Sequence, residues 1–271
     1  MTALQARRKT TQPPPAPARV RRVRPVPAVS RAIAILRLLG RSPEPMGVKA
    51  IAQSLGIVTS TCLHILRVLV DEELVKVDAT KRYGLGGGML ALARSVIEGS
   101  GFAVAAQPAL DRISSAWGVT AIGVEIGGLE HMVVLALAHS NVPFRLHVDV
   151  GSRFPALISA TGRLVAAYTS QPWSEVERRF RDLRWQNAPS LDTWRREVER
   201  ARKRGYSIDR GNYINGVVVL SVPVFNLRRE LTHALIVTGV AEQIDSARAA
   251  AIAADMQAEA ERLSALLLSR A

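Results

Sequence analysis

The residues whose types and spacing suit them best for chemistry lie at 59–67, TSTCLHILR, and at 81–82, KR. Thr59, Ser60 and Thr61 are short hydroxyls, and Leu63, His64 and Arg67 follow at helical intervals. Hydroxyls can bond phosphate oxygens or base edges, an aliphatic chain can meet a thymine methyl, and an arginine can hold a phosphate. Solvated helices carry longer charged residues outward, whereas this short face suits close contact in a groove. Leu63 equally suits packing against a neighbouring strand, and His64 an ordinary surface imidazole. Lys81 and Arg82 fall at a hairpin tip, free either to reach DNA backbone or to remain solvated. Arg31 and Lys49, near the starts of their helices, are further candidate phosphate clamps.

Other chemistries lack their residues. No HExxH, CxxC, GxSxG or P-loop pattern occurs, and His64, His131, His139, His147 and His233 lack metal-site spacing. Gly86, Gly87 and Gly88 before a helix can cradle phosphate or simply end a wing. Cys62 is the sole cysteine, so no intrachain disulfide can form, and it suits a small core position. The expectation is a protein that is not an enzyme and needs no cofactor or metal. No apolar run approaches membrane-spanning length, and the single thiol fits a reducing compartment, so a cytoplasmic location is expected.

The elements that must position these residues can be read from periodicity. A helix over 30–40, capped by Ser30 and ended by Gly40, precedes one at Val48–Ser54 closed by Gly56 and a third from Thr59 to Val70. With Ile33, Leu36, Leu39, Ile51, Leu55, Cys62, Ile65, Leu66 and Leu69 inward, Thr59, Ser60, Leu63, His64 and Arg67 turn outward. Short strands at Leu74–Val77 and Tyr83–Leu85 complete a winged helix-turn-helix, whose second motif helix is shaped for the DNA major groove. Charge agrees. Residues 1–27 carry seven Lys/Arg and no acid, and residues 28–97 carry nine and five, whereas the remainder carries twenty and eighteen. The positive charge therefore concentrates beside the motif.

Downstream, helices are expected at Met89–Ile97, Val104–Ala116, Thr161–Tyr168, Leu191–Arg204 and Ile244–Ser269. Strands are expected at Thr120–Ile126, His131–Ala138, Arg145–Asp149, Tyr206–Ile208, Val217–Pro223 and Ala234–Val240. This interleaving indicates an α+β domain. The organisation reads as a basic, Pro/Ala-rich disordered tail at 1–28 and a DNA-binding domain at 29–86. A linker helix and hinge follow at 87–101, then a second domain at 102–271. Arg21, Arg22 and Arg24 either track a minor groove or serve as a solubilising tail.

SRAIAILRLL, IAQSLGI, TSTCLHILRVL and RYGLG, followed by FPALISATGRLVAA (154–167), RARKRGYSID (200–209), VVVLSVPVFN (217–226) and ALIVTG (234–239), are together similar to the IclR-type bacterial transcriptional regulators. The resemblance implies a winged-helix domain, a linker helix and a GAF/PAS-like effector-binding domain. It further implies homodimers or homotetramers on double-stranded DNA operators, responding to a small-molecule effector. Relatives place Arg where His64 stands, which predicts a different operator here. Matched positions imply a pocket lined by Ala160, Thr161, Asp209, Val217, Val219, Ile236 and Thr238. Ala160 and Thr161 stand at a helix start able to hold a carboxylate, with Asp209 and Thr238 as polar fixing points. Ile236-Val237-Thr238 stands where relatives sensing small acids carry Ser-x-Ser, which favours an aromatic or aliphatic metabolite. The alternative is a constitutive DNA-binding protein whose C-terminal domain only oligomerises.

Overall fold

Pro27 opens the first helix, α1 (Pro27–Arg41). Its fixed φ suits a first helical turn, and its missing N–H would be unpaired there anyway. The helix thus starts ahead of the expected Ser30 cap, and Ser30 instead donates its N–H to the Val26 carbonyl at 3.1 Å within the first turn. It also runs one residue past Gly40. The computed structural model describes residues 26–99, 101–139 and 148–269, and the chain divides between Leu92 and Ala93 into two compact units. The expected tail up to residue 25, including Arg21, Arg22 and Arg24, lies outside the described residues. So do Ser100 and positions 145–147 of the strand expected at Arg145–Asp149, of which Val148 and Asp149 are not in a strand.

In the first unit, α1 is followed by β1 (Met46–Gly47), α2 (Val48–Leu55), α3 (Thr59–Asp71), β2 (Val75–Val77) and β3 (Arg82–Leu85). Gly56 adopts φ 64 after α2, a left-handed turn that glycine enters without a Cβ penalty. The bend between α2 and α3 is 113°, within the range of helix-turn-helix motifs. Ile35, Leu39, Ile51, Ala52, Cys62, Leu66, Leu69, Val75 and Tyr83 form the core. Ile33, expected inside, is 42 % exposed, because Ile35 and Leu39 at i, i+4 define the inward stripe of α1. A third strand, too short to show a pattern, joins the wing: β1 pairs with β3 (Met46 opposite Tyr83), and β3 with β2 (Tyr83 opposite Val77). Helix α4 (Gly88–Gly99) spans the division between the units.

The second unit runs α5 (Gly101–Trp117), β4 (Thr120–Gly127), β5 (His131–Ala138), β6 (Arg153–Pro155), α6 (Ser159–Tyr168), α7 (Trp173–Arg181), α8 (Leu191–Arg204), β7 (Ser207–Arg210), β8 (Val217–Phe225), β9 (Leu231–Val240) and α9 (Ser246–Ser269). Its strands form one antiparallel sheet in the order β6-β5-β4-β9-β8-β7. Val218, Leu220, Val222 and Val224 of β8, with Leu235 and Val237 of β9, pack on α5 and α9. The alternate residues of β9, Ala234 and Ile236, face the opposite side with Ile122 and Val124 of β4. On that side α6 is buried from Ser159 to Ala167, covered in turn by α7 and α8 through Val176, Phe180, Trp194 and Val198. The α+β, GAF/PAS-like architecture is the expected one.

Strand β5 has a consequence for function. Gly123 pairs with Ala136 but Val124 pairs with Val134, so Leu135 is an extra residue in the ladder. A bulge of this kind reverses which face successive residues occupy. Met132 and Val134 therefore face the α6 side, whereas Ala136 and Ala138 face α5 and α9.

Candidate functional site

Two surfaces carry the candidate residues, one in each unit. On α3, Cys62, Leu66 and Leu69 hold the helix to its core, and burial pushes the Cys62 thiol up. The opposite face leaves Thr59, Ser60, His64 and Arg67 exposed, with Thr61 and Leu63 half-buried at its margins. Residues 45–70 contain no acid, and acids begin only with Asp71, Glu72 and Glu73 at the end of α3. Against a polyanion this asymmetry favours approach by the first turns of the helix, where free N–H groups also point. Arg31 on α1 and Lys49 on α2 are exposed.

The wing tip is organised by one carboxylate. Asp78 Oδ1 accepts from the Thr80 N–H (2.8 Å), the Thr80 hydroxyl (2.7 Å) and the Arg82 N–H (3.0 Å). The bonds from Arg82 and Thr80 hold its carboxyl below the usual range. Within this turn Lys81 takes φ 60 and is exposed. Arg82 separates from it: its guanidinium donates to the Pro45 carbonyl at 3.4 Å, tying β3 back to the loop before β1.

The second surface is a cavity on the α6 side of the sheet, with about 560 Å³ of atom-free space including space continuous with solvent. Ile122, Val124, Met132 and Val134 supply one wall from β4 and β5, and Val219, Ile236 and Thr238 supply another from β8 and β9. Val148, Phe154 and Ile158 also line it, and Tyr213 and Ile214 come from the loop after β7. Ser159 and Thr161 enter from the first turn of α6, which no side chain caps. The lining is almost wholly apolar, which makes its few polar atoms informative. Thr161 donates its hydroxyl to Ser221 at 3.2 Å. The hydroxyls of Ser159 and Thr238 are buried without a partner. Ser159 also has φ 55, a conformation that costs a non-glycine residue about 1–3 kcal/mol. Burial pushes the Tyr213 phenol up, so it stays protonated.

Of the pocket residues expected from the sequence, Thr161, Val219, Ile236 and Thr238 line this cavity together. Ala160 is buried beside it, its carbonyl accepting from Ser207 Oγ at 2.6 Å. Two other expected positions stand outside this lining. Val217 is buried opposite Val240, away from the lining. Asp209 has one carboxylate oxygen 3.5 Å from Arg163 and the other accepting the Asn212 N–H at 2.8 Å. Sequence reasoning missed Ser159, although it directly precedes Ala160-Thr161, and missed the β4–β5 wall, which the bulge at Leu135 conceals. Among the described residues no three His, Cys, Asp or Glu side chains gather as metal ligands.

Comparison with known proteins returns a consistent picture. Residues 28–79 match the IclR helix-turn-helix domain, and residues 95–265 match the family described as bacterial transcriptional regulator IclR, C-terminal. The chain is similar to the glycerol operon regulatory protein of Streptomyces griseus, 30 % identical over 82 % of this chain and 87 % of that protein. It is also similar to the transcriptional repressor AllR of Salmonella typhi, 25 % identical over 82 % of each. Among solved structures, an IclR-type transcriptional regulator from Alicyclobacillus acidocaldarius superimposes with a TM-score of 0.78 at 25 % identity, covering 90 % of this chain and all of that one.

Proposed function

This chain belongs to the IclR family of bacterial DNA-binding transcriptional regulators, and from that premise we propose that an aromatic or aliphatic metabolite in the cavity of the second unit changes its hold on an operator. The observation that carries this reading is the pair of unpartnered hydroxyls, Ser159 and Thr238, in an otherwise apolar cavity. Each buried, unpaired polar group costs about 1–3 kcal/mol. A ligand with an apolar body and a hydrogen-bonding end removes that cost, and the uncapped first turn of α6 favours a carboxylate there. Ser159, Thr161, Ile236, Thr238 and Val219 are the proposed ligand contacts, with Ala160 contributing its backbone.

On the DNA side, Thr59, Ser60, Thr61, Leu63 and His64 read the groove while Arg67, Lys81, Arg31 and Lys49 hold phosphates. Arg82 has the smaller part, since its guanidinium is engaged with Pro45. The active species is a cytoplasmic homodimer or homotetramer assembled partly through α4, where Leu90 and Leu92 are 75 % and 55 % exposed. Ligand binding shifts the spacing of two winged helices across that assembly, to which half-site recognition is sensitive. Relatives that regulate a glycerol operon favour catabolic genes as the target.

Titration calorimetry with benzoate-like and aliphatic acids, paired with operator binding, tests the proposal. Tight binding of a small polar acid and none of the larger ones overturns the ligand class. An operator affinity that no ligand moves favours a constitutive DNA-binding protein instead.

A further inference from the structure

Among the described residues the only Arg, Lys, Asp or Glu side chains that are fully enclosed are Arg163 and Asp209, and they lie together beside the cavity. Arg163 follows Ser159 by one helical turn, and its guanidinium addresses three separate segments. Nη1 donates to the Ser159 carbonyl at 2.8 Å. Nε donates to Glu197 on α8 at 2.8 Å, and Nη2 stands 2.7 Å from the same oxygen. Nη2 also donates to Asn212 Oδ1 at 2.9 Å. Asp209 lies 3.5 Å from Nη1 and receives the Asn212 N–H on its other oxygen.

Asn212 leads the loop that carries Tyr213 and Ile214 into the cavity wall. A second set of bonds ties that loop to the segment before α8. Asn212 Nδ2 donates to the Asn187 carbonyl (3.1 Å), the Asn187 N–H to the Asn212 carbonyl (2.9 Å) and Asn187 Nδ2 to the Gly211 carbonyl (2.9 Å). Gly211 and Gly216, both at positive φ, bracket the loop. Its hydrogen bond to α6 is the one from the Arg163 fork.

A buried ion pair is weak evidence for stability, because desolvation offsets much of the attraction and apolar residues often replace it without loss. A guanidinium adds direction. Its planar fork can serve three acceptors on fixed lines, which the compact point charge of lysine cannot. We propose that Arg163 is the positioning residue of the cavity, holding the Ser159 backbone and the 211–216 loop in register so that Ser159 and the Tyr213–Ile214 wall line one space. Asp209 and Glu197 balance the charge of this fork and do not touch ligand. The inference rests on the effector reading of the cavity, yet its first test needs no ligand.

The experiment is backbone amide exchange by mass spectrometry on the full chain, comparing wild type with R163K and N212A. The expected result is exchange at least tenfold faster over 211–216 in both variants, with the peptides of β8 and β9 unchanged. Unchanged exchange over 211–216 in R163K overturns the proposal. So does acceleration spread equally through β8 and β9, which would make Arg163 a general stabiliser. Should R163K fail to fold, N212A read against N212D decides by the same criterion, because N212D keeps the acceptor for Arg163 and loses only the Nδ2 bond to the Asn187 carbonyl that N212A also removes. A second arm titrates benzoate, for which R163K is expected to lose about tenfold in affinity (roughly 1.4 kcal/mol). If wild type binds no benzoate, the effector reading suffers and the exchange result still decides the role of Arg163.

Discussion

On α3, the candidate function rests on side chains left outside a core: Thr59, Ser60, His64 and Arg67 are exposed because Cys62, Leu66 and Leu69 occupy the opposite face. In the second unit it rests on side chains that are enclosed, with Ser159 and Thr238 buried and unpartnered in a cavity assembled from strands, a helix end and a loop. The first kind of site needs one helix and its period. The second needs strands β4, β5, β8 and β9, the start of α6 and the loop after β7 to arrive together, and it includes a left-handed serine tied to a buried arginine. The difference teaches where each should be fragile. Changes on α3 should alter binding with little effect on folding, whereas changes around α6 should alter both.

The largest expected effect tests that asymmetry directly. A Cβ at Gly162 would stand 1.9 Å from the Leu157 carbonyl oxygen, a backbone contact that no rotamer change relieves. G162A should therefore destabilise the second unit by about 3 kcal/mol, read as an earlier denaturant transition. A variant as stable as wild type would mean that the first turn of α6 is far more compliant than its burial implies.

The next effect concerns pH. His233 on β9 stacks on Phe102 of α5 with ring centroids 4.1 Å apart, and burial lowers its pKa from 6.5 to about 4. Between those values the unfolded chain takes up a proton that the folded unit refuses. The stability due to neutral His233 is thus complete above about pH 6.5 and falls as the pH drops towards 4. A gap of roughly 2.5 units corresponds to about 3 kcal/mol at most. Replacement by Gln should flatten the stability profile between pH 6.5 and 4, measured by urea unfolding. An equally steep profile in H233Q would place the titration elsewhere.

On the exposed side the same comparison predicts binding loss without unfolding. Ser60→Ala with His64→Ala should reduce preference for the operator over unrelated DNA by roughly tenfold, within the 1–3 kcal/mol of a good base contact. The thermal midpoint should stay within about 2 °C of wild type, since exposed substitutions usually change stability by less than about 0.5 kcal/mol. Competition binding and a thermal melt check both parts. A lowered midpoint with unchanged preference would make these residues structural.

The same contrast explains what could be read in advance. Helix α3 starts at Thr59, α8 spans Leu191–Arg204 and β5 spans His131–Ala138, as periodicity indicates, because each has a regular stripe over eight or more residues. Yet the regularity of β5 misleads about its faces, because the bulge at Leu135 is a property of pairing with β4 and leaves no mark in the strand itself. Helix α7, WSEVERRFR, carries no legible stripe, because its inward face is only Val176 and Phe180 amid charges. The setting of Asp209 is hidden in the sequence for a related reason. Its partner Arg163 lies 46 positions away along the chain, and nothing local distinguishes a carboxylate facing a cavity from one facing a buried guanidinium.

The smallest expected effect sharpens the exposed site at one charge. Lys81 sits at φ 60 within the Asp78-centred turn, and glycine enters that conformation without strain. K81G should therefore keep the wing and remove only the ammonium. If that ammonium meets a phosphate, its loss reduces the log–log slope of operator affinity against salt by about 0.9, with base preference unchanged because a phosphate contact reads no sequence. Arg82→Gln provides the contrast, since one N–H of the Arg82 guanidinium is engaged with the Pro45 carbonyl and removing its charge should change the slope less than K81G does. Equal slope changes in both variants would mean that the two cations share the backbone. No change in either would move DNA contact away from the wing and leave it to α3.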